Sequence, residues 1–251
     1  MKLISLNTWG GRGGKENLLN FIEYHKGVDV FCFQEMWNGG EHMAGKITGG
    51  SVLENISYKL LAEIGEILTE YEVYFRPHYG DWYGLAMFVK KDHTIKGEGE
   101  IFVHKERGWA DKKDEGNHAR NIQWVTIETK LGLRTIINFH GLWNGQGKGD
   151  SEDRLIQSDN ILNFIKNIPD PHILCGDFNL RPDTQSIKKL EQFGLKNLIK
   201  EHNITSTRTD LYTKPEKFAD YMFVTPDIKV KSFEVPNVPI SDHRPLILEF
   251  E

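Results

Sequence analysis

The sequence places a carboxylate and a carboxamide two residues apart at the end of an apolar segment. Ile173-Leu174-Cys175 predicts a short buried strand, Gly176 predicts its end, and Asp177-Phe178-Asn179 follows. In an extended chain, the two polar side chains of this last segment point the same way. Such a pair packs poorly, but it is suited to orienting a water molecule or a metal-bound phosphate. Because Asp and Asn are also common turn residues, this segment alone leaves both interpretations open.

Two further segments bring ionisable side chains to the boundaries of predicted strands. The apolar run Val28 to Phe33 ends in Gln34-Glu35, where the carboxylate either ligates a cation such as Mg²⁺ or has simply reached solvent. Asp242-His243 precedes the last strand, and an imidazole there can act on a phosphate if a carboxylate orients it. Asp220 is the candidate for that carboxylate, because it begins the predicted strand Tyr221 to Val224. Each position also has a plain surface interpretation.

The first of these polar strand ends belong to a predicted strand, helix, strand unit. Lys2 to Asn7 predicts a strand, Lys15 to Lys26 a helix, and Val28 to Phe33 a strand buried on both faces. This order of elements is a βαβ unit, whose two strands run parallel. Asn7 and Glu35 are therefore expected at the same edge of a sheet.

The second half of the chain repeats this plan. Thr135 to Phe139 predicts a strand that ends at His140, and Glu152 to Asn167 predicts a helix. His172 to Cys175 then predicts a buried strand that leads to Asp177. The residues of the two halves do not align, but the strands of both units finish in polar side chains, which indicates a weak repeat of architecture.

The remaining segments are mostly strands. Ser51 with Glu54 three residues later has the form of a capping box and predicts a helix to about Leu68. Four strands are expected between residues 71 and 129, and three more near the C-terminus. Because no low-complexity linker interrupts this order, we expect a single domain over residues 1–251, with two packed sheets and helices outside.

Composition narrows the class of protein. The chain has 39% hydrophobic and 27% charged residues and a formal net charge of -5, so it has no general attraction for nucleic acid or an anionic membrane. Cys32 and Cys175 lie in apolar runs and are expected to be buried free thiols. The N-terminus lacks the apolar region of a signal peptide, and no apolar run could span a bilayer, so we expect a cytoplasmic protein.

Six short motifs occur together in an order that resembles the endonuclease/exonuclease/phosphatase superfamily, which includes deoxyribonucleases, exonuclease III-like nucleases, inositol phosphatases and neutral sphingomyelinases. The resemblance extends from residue 3 to residue 250 and is strongest to small, uncharacterised bacterial members. Each motif is weak alone, and their joint order is specific. The motifs are Leu6-Asn7-Thr8-Trp9, Phe33-Gln34-Glu35, Asn138-Phe139-His140, Gly176-Asp177-Phe178-Asn179, Ala219-Asp220-Tyr221 and Ser241-Asp242-His243.

The resemblance implies a deoxyribonuclease-like fold and a metal-dependent hydrolase. The fold is an α/β four-layer αββα sandwich, in which two mixed β-sheets pack face to face with helices outside. The implied reaction is hydrolysis of a phosphate ester assisted by Mg²⁺ or Mn²⁺. Carried over position by position, Glu35 resembles the principal metal ligand, with Asn7 and Asp242 near the metal. Asp177 resembles the residue that orients or deprotonates the attacking water, and Asn179 lies beside it.

The same resemblance assigns the phosphate contacts. His243, paired with Asp220, resembles the imidazole that contacts the scissile phosphate, and His140 resembles the second phosphate-binding histidine. By position, Asp81 is a candidate partner for His140, and Arg120 is a candidate phosphate ligand or an exposed strand-start arginine. Metal, imidazole and carboxamide groups together can neutralise the charge that such a reaction develops.

Aromatic side chains near these motifs suggest how the substrate is held. Trp9, Trp37 and Trp143 each lie two or three residues beyond a proposed site residue, where they either stack on the substrate or wall the pocket. We expect Trp143 to bind substrate. The glycine-rich loop Gly141 to Gly149, which carries it, is a candidate for a mobile cover.

Three functions remain open at this stage. The first is a phosphodiesterase or phosphomonoesterase that acts on a small or lipid-like ester. The second is a DNA endonuclease or exonuclease, which would need a basic groove; Met36-Trp37 stands where abasic-site nucleases usually carry a basic residue, and this weakens it. The third is a non-catalytic binding module, which the intact motifs disfavour. The residues expected in a basic groove are Lys112, Lys113, Arg107 and Arg120.

Overall fold

The computed structural model describes all 251 residues, which form fourteen strands and five helices. The strands are β1 (Lys2–Asn7), β2 (Val30–Trp37), β3 (Ile47–Thr48), β4 (Ser51–Val52), β5 (Tyr71–Tyr79), β6 (Tyr83–Lys90), β7 (Thr94–His104), β8 (Arg120–Thr129), β9 (Gly132–His140), β10 (His172–Asp177), β11 (Lys196–Asn197), β12 (Asp220–Val224), β13 (Val230–Glu234) and β14 (Leu246–Phe250). The helices are α1 (Lys15–Tyr24), α2 (Leu60–Ile67), α3 (Glu152–Ile165), α4 (Gln185–Gln192) and α5 (Leu198–Glu201).

Twelve of the strands form two large mixed sheets. The first sheet has the order β13-β14-β1-β2-β6-β5, and the second has the order β11-β12-β10-β9-β8-β7. Each contains one parallel pair, β1 with β2 and β9 with β10, while the other neighbours run antiparallel. The parallel pairs are the two predicted strand, helix, strand units. Strands β3 and β4 form a separate hairpin.

The strand register brings the polar strand ends together. Asn7 is paired with Gln34 in the first sheet, and Asp177 is paired with His140 in the second. Strand β12 runs antiparallel to β10, so it begins where β10 ends, with Asp220 opposite Asp177. One edge of the molecule therefore collects the carboxyl ends of the parallel strands, as the two βαβ units predict.

The apolar residues divide into the layers of a sandwich. Leu3 and Val30 belong to a core that contains residues of both sheets and of helices α3 and α4. Their chain neighbours Ile4 and Phe31 point to the other face and pack with Leu18 of α1 and with α2. Because strand residues alternate between faces, each central strand of the first sheet contributes to both clusters, whereas the strands of the second sheet contribute to the first cluster only. The predicted four-layer αββα architecture is confirmed.

Two local predictions were wrong. The helix expected from Ser51 begins at Leu60, because Ser51–Val52 pairs with Ile47–Thr48 across the Gly49-Gly50 turn. The backbone groups of these residues thus form the hydrogen bonds of a local hairpin in place of those of the predicted helix. The other error is at Gly176, where β10 was expected to end.

Strand β10 continues through Gly176 to Asp177. Gly176 has a φ of +139°, and a Cβ there would lie 1.9 Å from the carbonyl oxygen of Phe139. A glycine is required here because the neighbouring strand approaches so closely, and it does not mark the end of the strand.

Two further expectations concern the cysteines and the membrane. Cys32 and Cys175 are buried free thiols in the core between the sheets, as predicted. No helix of this fold combines the length and the apolar character that crossing a bilayer requires.

Candidate active site

A cavity of about 190 Å³ lies where the polar strand ends meet. Its walls contain eight of the side chains that the sequence singled out, while Asn7 and Asp220 are fully or almost fully buried behind it. The structure therefore brings all ten predicted site residues to one place. The eight that line the cavity are Glu35, Arg120, His140, Trp143, Asp177, Asn179, Asp242 and His243.

Asn7 joins the two sheets beneath the cavity. Its Nδ2 group donates to Oε1 of Glu35 at 3.0 Å and to Oδ2 of Asp177 at 2.9 Å. Its Oδ1 atom accepts from the backbone N–H of Trp9 at 2.9 Å, so the amide orientation is determined by its partners. Asn7 thus holds two carboxylates from different sheets close to each other.

Glu35 is aimed into the cavity by an irregularity in its strand. The pairing of β2 with β6 shifts register between Phe33 and Met36, and Glu35 has a φ of +55°. A bulge of this kind re-aims one side chain, and a positive φ at a non-glycine residue costs roughly 1–3 kcal/mol. The sequence showed Glu35 as the end of an apolar run but gave no sign of this bulge.

Asp177 is ionised at neutral pH. Oδ1 accepts from the backbone N–H of Asn179 at 2.8 Å, in addition to the bond that Oδ2 accepts from Asn7. Burial would raise the pKa of Asp177, but the positive charges around it, led by His243 and Lys148, outweigh burial and hold the pKa low. A carboxylate this acidic is a strong hydrogen-bond acceptor and a weak base.

His243 is backed by a carboxylate. Its Nδ1 atom lies 2.8 and 2.9 Å from the two oxygens of Asp220, and its Nε2 atom lies 3.6 Å from Oδ2 of Asp177. Burial and then Arg208 disfavour protonation, but the carboxylates of Asp220, Asp242 and Asp177 outweigh them and raise the pKa of His243. The predicted pairing of His243 with Asp220 is present.

Arg208 is a site residue that the sequence interpretation missed. It is 7% exposed, and its Nη1 donates to Oδ2 of Asp242 at 2.8 Å and to Nε2 of His243 at 2.5 Å. Its guanidinium stacks on the ring of Tyr212, 4.1 Å from the centroid. Arg208 lies in an irregular segment far from any of the motifs, so neither periodicity nor spacing could identify it.

His140 is backed by an arginine instead. Nη1 of Arg120 donates to Nδ1 of His140 at 3.2 Å and to Nε2 of His78 at 3.3 Å. Burial, and next the charge of Arg120, lower the pKa of both imidazoles well below 6.5. The expectation that Asp81 pairs with His140 was wrong, because Asp81 is exposed in a turn while His140 is buried.

The loop Gly141 to Gly149 is fixed at both ends. Arg154, which is 1% exposed, donates to the carbonyl oxygens of Leu142 and Gly149. Lys148 is also buried, and its ammonium donates to Oδ1 of Asn179 at 2.8 Å. These bonds do not fit the mobile cover expected for the whole loop. Burial lowers the pKa of Lys148 to about 8.

Three tryptophans line the cavity, as expected from their spacing. Trp9 and Trp143 are partly exposed, whereas Trp37 is 4% exposed and packs against Tyr58 and Tyr83. Trp143 donates from Nε1 to the carbonyl oxygen of Gly49 at 3.0 Å. Trp37 therefore walls the pocket, while the other two rings remain accessible to a substrate.

Cations cluster near Trp143. The ammonium groups of Lys148 and Lys214 lie 5.6 and 5.5 Å from the centre of its ring. Arg12 also lines the cavity. The same cavity is lined by the carboxylates of Glu35, Asp177 and Asp242, so it combines cationic and anionic groups.

The donor set fits a hard divalent cation. Burial, and then the nearby carboxylate of Asp242, raise the pKa of Glu35, and a cation between two such groups would relieve their repulsion. Oδ1 of Asp242 is buried and has no hydrogen-bond partner, so a ligand position is available. Carboxylate oxygens of Glu35 and Asp177 also lie within 4.8 Å of each other. Asn7 is less suited to direct ligation, because its nitrogen faces the carboxylates.

The fold is similar to that of known proteins. A model of the endonuclease/exonuclease/phosphatase family matches residues 4–243. A search of curated proteins gave no match. Among solved structures, the chain is similar to a mannosyl-6-phosphatase of Bacteroides thetaiotaomicron VPI-5482, with 20% identity, a TM-score of 0.74, and coverage of 100% of this chain and 99% of that chain.

Two eukaryotic structures share the same fold. One is Danio rerio TDP2, humanized by 14 mutations, which is 14% identical with a TM-score of 0.71 over 100% of this chain and 98% of that chain. The other is the human Nocturnin catalytic domain with a bound sulfate anion, which is 18% identical with a TM-score of 0.65 over 100% of this chain and 93% of that chain. At these identities the likeness establishes the fold and leaves the substrate open.

Proposed function

This chain belongs to the endonuclease/exonuclease/phosphatase family, and we propose that it is a divalent-metal-dependent phosphoesterase that hydrolyses a small phosphate ester. One observation carries the proposal. Three side chains that can bind an anion, Arg120, Arg208 and His243, converge on a buried carboxylate, Asp177, in a single cavity. The cationic side chains can neutralise a bound phosphate, and the aspartate can hold an attacking water beside it. Hydrolysis of a phosphate ester uses both.

The cation would be held by Glu35 and Asp242, with Asn7 keeping Glu35 in place. When bound, Mg²⁺ or Mn²⁺ supplies a Lewis acid that neutralises charge on the phosphate oxygens. The need for such a group follows from the two carboxylates themselves, since they would otherwise repel an anionic substrate. Glu35 and Asp242 are proposed as the ligands because of their donor chemistry and their burial.

Asp177 orients the attacking water in this proposal. Its charge makes it a strong acceptor, and Asn7 and the backbone of Asn179 fix both oxygens. Because its pKa is depressed, Asp177 is better suited to positioning water than to removing its proton completely. Asn179 presents its carboxamide beside it, tied to Lys148 and to the carbonyl oxygen of Gly141.

His243 contacts the phosphate and stabilises charge on it. Asp220 orients the imidazole through Nδ1 and favours its protonated form, so Nε2 can donate to a phosphate oxygen or to the leaving oxygen. Arg208 now occupies the space next to Nε2, and it would move to a phosphate oxygen when the substrate enters. His140 and Arg120 complete the anion-binding wall.

The shape of the site favours a small substrate. The cavity is about 190 Å³, and Trp9 and Trp143 flank it with accessible rings that can stack on an apolar or sugar-like face. The similar Bacteroides protein is described as a mannosyl-6-phosphatase, so hexose 6-phosphates are sensible first substrates to test.

A nuclease is the second candidate, but the basic residues expected to form its groove lie apart in this structure. Arg120 is 2% exposed and faces the cavity, while Arg107 is exposed and pairs with Glu100 at 3.4 Å. Lys112 and Lys113 are exposed in a loop that also carries Asp111 and Asp114. These four basic residues therefore do not form the continuous basic surface that duplex DNA requires.

A substrate screen tests the proposal directly. Purified protein is incubated with Mg²⁺, Mn²⁺ or a chelator and offered hexose phosphates, inositol phosphates, bis-p-nitrophenyl phosphate, sphingomyelin and plasmid DNA. We expect turnover of a small phosphate ester that disappears with the chelator and in Asp177→Asn. Turnover that survives chelation, or strong salt-sensitive cleavage of DNA alone, would contradict the proposal.

A further inference from the structure

His140 sits in an unusual environment for a histidine at a charged site. Nδ1 lies 3.2 Å from Nη1 of Arg120, and Nε2 lies 3.8 Å from Oδ2 of Asp177. A guanidinium has donors and no acceptor, so the contact at Nδ1 requires a lone pair on that nitrogen. The proton of the neutral ring is then on Nε2, which faces the cavity and the carboxylate.

A second histidine fixes the arginine in turn. Nε2 of His78 lies 3.3 Å from the same Nη1 atom of Arg120, so this nitrogen must also be an acceptor. Both imidazoles are buried, with 1% exposure for His78 and 2% for His140. If either ring were protonated on both nitrogens, it would turn an N–H group toward the N–H groups of Arg120 with no water to separate them.

The tautomer of His78 is set independently by Asn121. Nδ2 of Asn121 donates to Oε2 of Glu100 at 2.6 Å and to the carbonyl oxygen of Arg76 at 3.3 Å. Both partners only accept, so the amide cannot be reversed, and its Oδ1 faces Nδ1 of His78 at 2.9 Å. His78 is therefore protonated on Nδ1, which leaves Nε2 free to accept from Arg120.

We propose that Arg120 is a positioning residue that fixes His140 as a neutral hydrogen-bond donor through Nε2, and that the chain Glu100, Asn121 and His78 fixes Arg120. The expected effect on turnover rests on the proposed phosphoesterase function, whereas the protonation state of His140 does not. His140 donates its Nε2–H to a phosphate oxygen and keeps that proton throughout. The proton that the leaving oxygen needs comes from another group.

The surroundings of the pair support this assignment. His118 stacks on His78 with ring centres 5.1 Å apart, and its own ring is 4% exposed, so solvent is kept away from the Arg120 contacts. Burial, followed by the charge of Arg120, lowers the pKa of His140, His78 and His118. All three rings are thus neutral near pH 7.

Nuclear magnetic resonance of the imidazole nitrogens tests the assignment. Metal-free full-length protein labelled with ¹⁵N-histidine is examined at neutral pH, and the signals of His140 are identified by their loss in His140→Gln. We expect an unprotonated Nδ1 and a protonated Nε2. A protonated Nδ1, or a ring protonated on both nitrogens, would overturn the proposal without any activity measurement.

Variants test whether Arg120 sets this state. Arg120→Met removes the donors and should allow His140 to populate a second tautomer or a doubly protonated ring, with a fall in kcat of about 100-fold. Arg120→Lys keeps one donor and should restore the wild-type tautomer and about a tenth or more of the wild-type kcat. An unchanged tautomer in a folded Arg120→Met would refute the positioning role.

Asn121→Leu provides a test that does not alter the cavity wall, because Asn121 does not line the cavity and reaches Arg120 through His78. It should shift the His140 signals in the same direction as Arg120→Met, with a fall in kcat of about tenfold. His172→Gln is the matched control, since His172 is buried at the opposite end of β10, and it should change neither readout. If Asn121→Leu leaves the His140 signals unchanged, the proposed chain is wrong even where the phosphoesterase function stands.

Discussion

The two imidazoles of the site approach the same oxygen of Asp177 with opposite partners behind them. Nε2 of His243 lies 3.6 Å from Oδ2 and Nε2 of His140 lies 3.8 Å from it. His243 is backed by the carboxylate of Asp220, and its pKa is raised. His140 is backed by the guanidinium of Arg120, and its pKa is lowered.

This difference shows that a histidine in a sequence motif does not define its own chemistry. His140 ends strand β9 and His243 precedes strand β14, and both are buried. The group behind the ring shifts the pKa of that ring in one direction or the other. The carboxylate of Asp220 raises the pKa of His243, although Arg208 also contacts Nε2 of that ring, whereas the guanidinium of Arg120 lowers the pKa of His140.

The largest effect is expected at the carboxylate-backed half. His243→Ala removes the imidazole that we propose to contact the phosphate, and kcat should fall about 1,000-fold or more, in the range found for general acid–base groups. Steady-state kinetics on the best substrate of the screen measures this. Circular dichroism and thermal unfolding check that the variant is folded. Comparable kcat values for wild type and variant would remove His243 from the mechanism.

The next effect tests the carboxylate itself. Asp220→Asn keeps the shape of the pair but removes the charge that favours protonation of His243, and kcat should fall about 100-fold. The pKa of His243 should also drop, so the limb of the pH–rate profile that reports it should move to lower pH. A profile that keeps its position would mean that Asp220 does not control His243.

Arg208→Gln should move the same limb in the opposite direction. Arg208 lowers the pKa of His243, so its removal raises that pKa and shifts the limb to higher pH. It also leaves Asp242 without its buried partner at 2.8 Å, and a charged hydrogen bond of this kind is worth about 1.5–3 kcal/mol. We expect kcat/KM to fall roughly 10- to 100-fold. Shifts of equal sign in this variant and in Asp220→Asn would contradict the electrostatic model.

The cation-backed half predicts acid sensitivity of the fold. Buried imidazoles with lowered pKa, here His78, His118 and His140, take up protons first in the unfolded chain. The free energy of unfolding should therefore fall as the pH drops below about 6.5. His243 acts oppositely, because a raised pKa stabilises the fold at low pH.

Urea unfolding of metal-free protein at pH 5 and pH 7 measures this balance. In His78→Gln, which cannot be charged, the difference in unfolding free energy between the two pH values should be smaller than in wild type. A larger difference in the variant would show that His78 is not the neutral buried group described above.

The smallest effect is expected at the rim, outside both halves. Trp143→Phe keeps an aromatic face but loses the hydrogen bond from Nε1 to Gly49. KM should rise about threefold while kcat stays close to wild type, because the ring binds substrate away from the reacting phosphate. A large fall in kcat with unchanged KM would place Trp143 in the chemistry instead.

The regular parts of the fold were predictable from local patterns. The two βαβ units, the packing of two sheets with helices outside and the free thiols follow from apolar runs and helical spacing, which depend on nearby residues. The four-layer αββα sandwich was implied by the family resemblance. The helix at Ser51 was wrong because a Gly49-Gly50 hairpin competes for the same backbone. Strand β10 was ended too early because a glycine that permits close approach looks like a glycine that ends a strand.

The sequence by itself determined which residue types gather at one edge, because parallel strands bring their carboxyl ends together. It did not determine which arginine or other polar group contacts each imidazole. Arg208 comes from an irregular segment, His78 from β5 and Arg120 from β8, so their hydrogen bonds join residues that are 20 to 43 positions apart in the sequence. The pKa of a buried histidine depends on such neighbours, and only the tertiary structure brings them within hydrogen-bond distance.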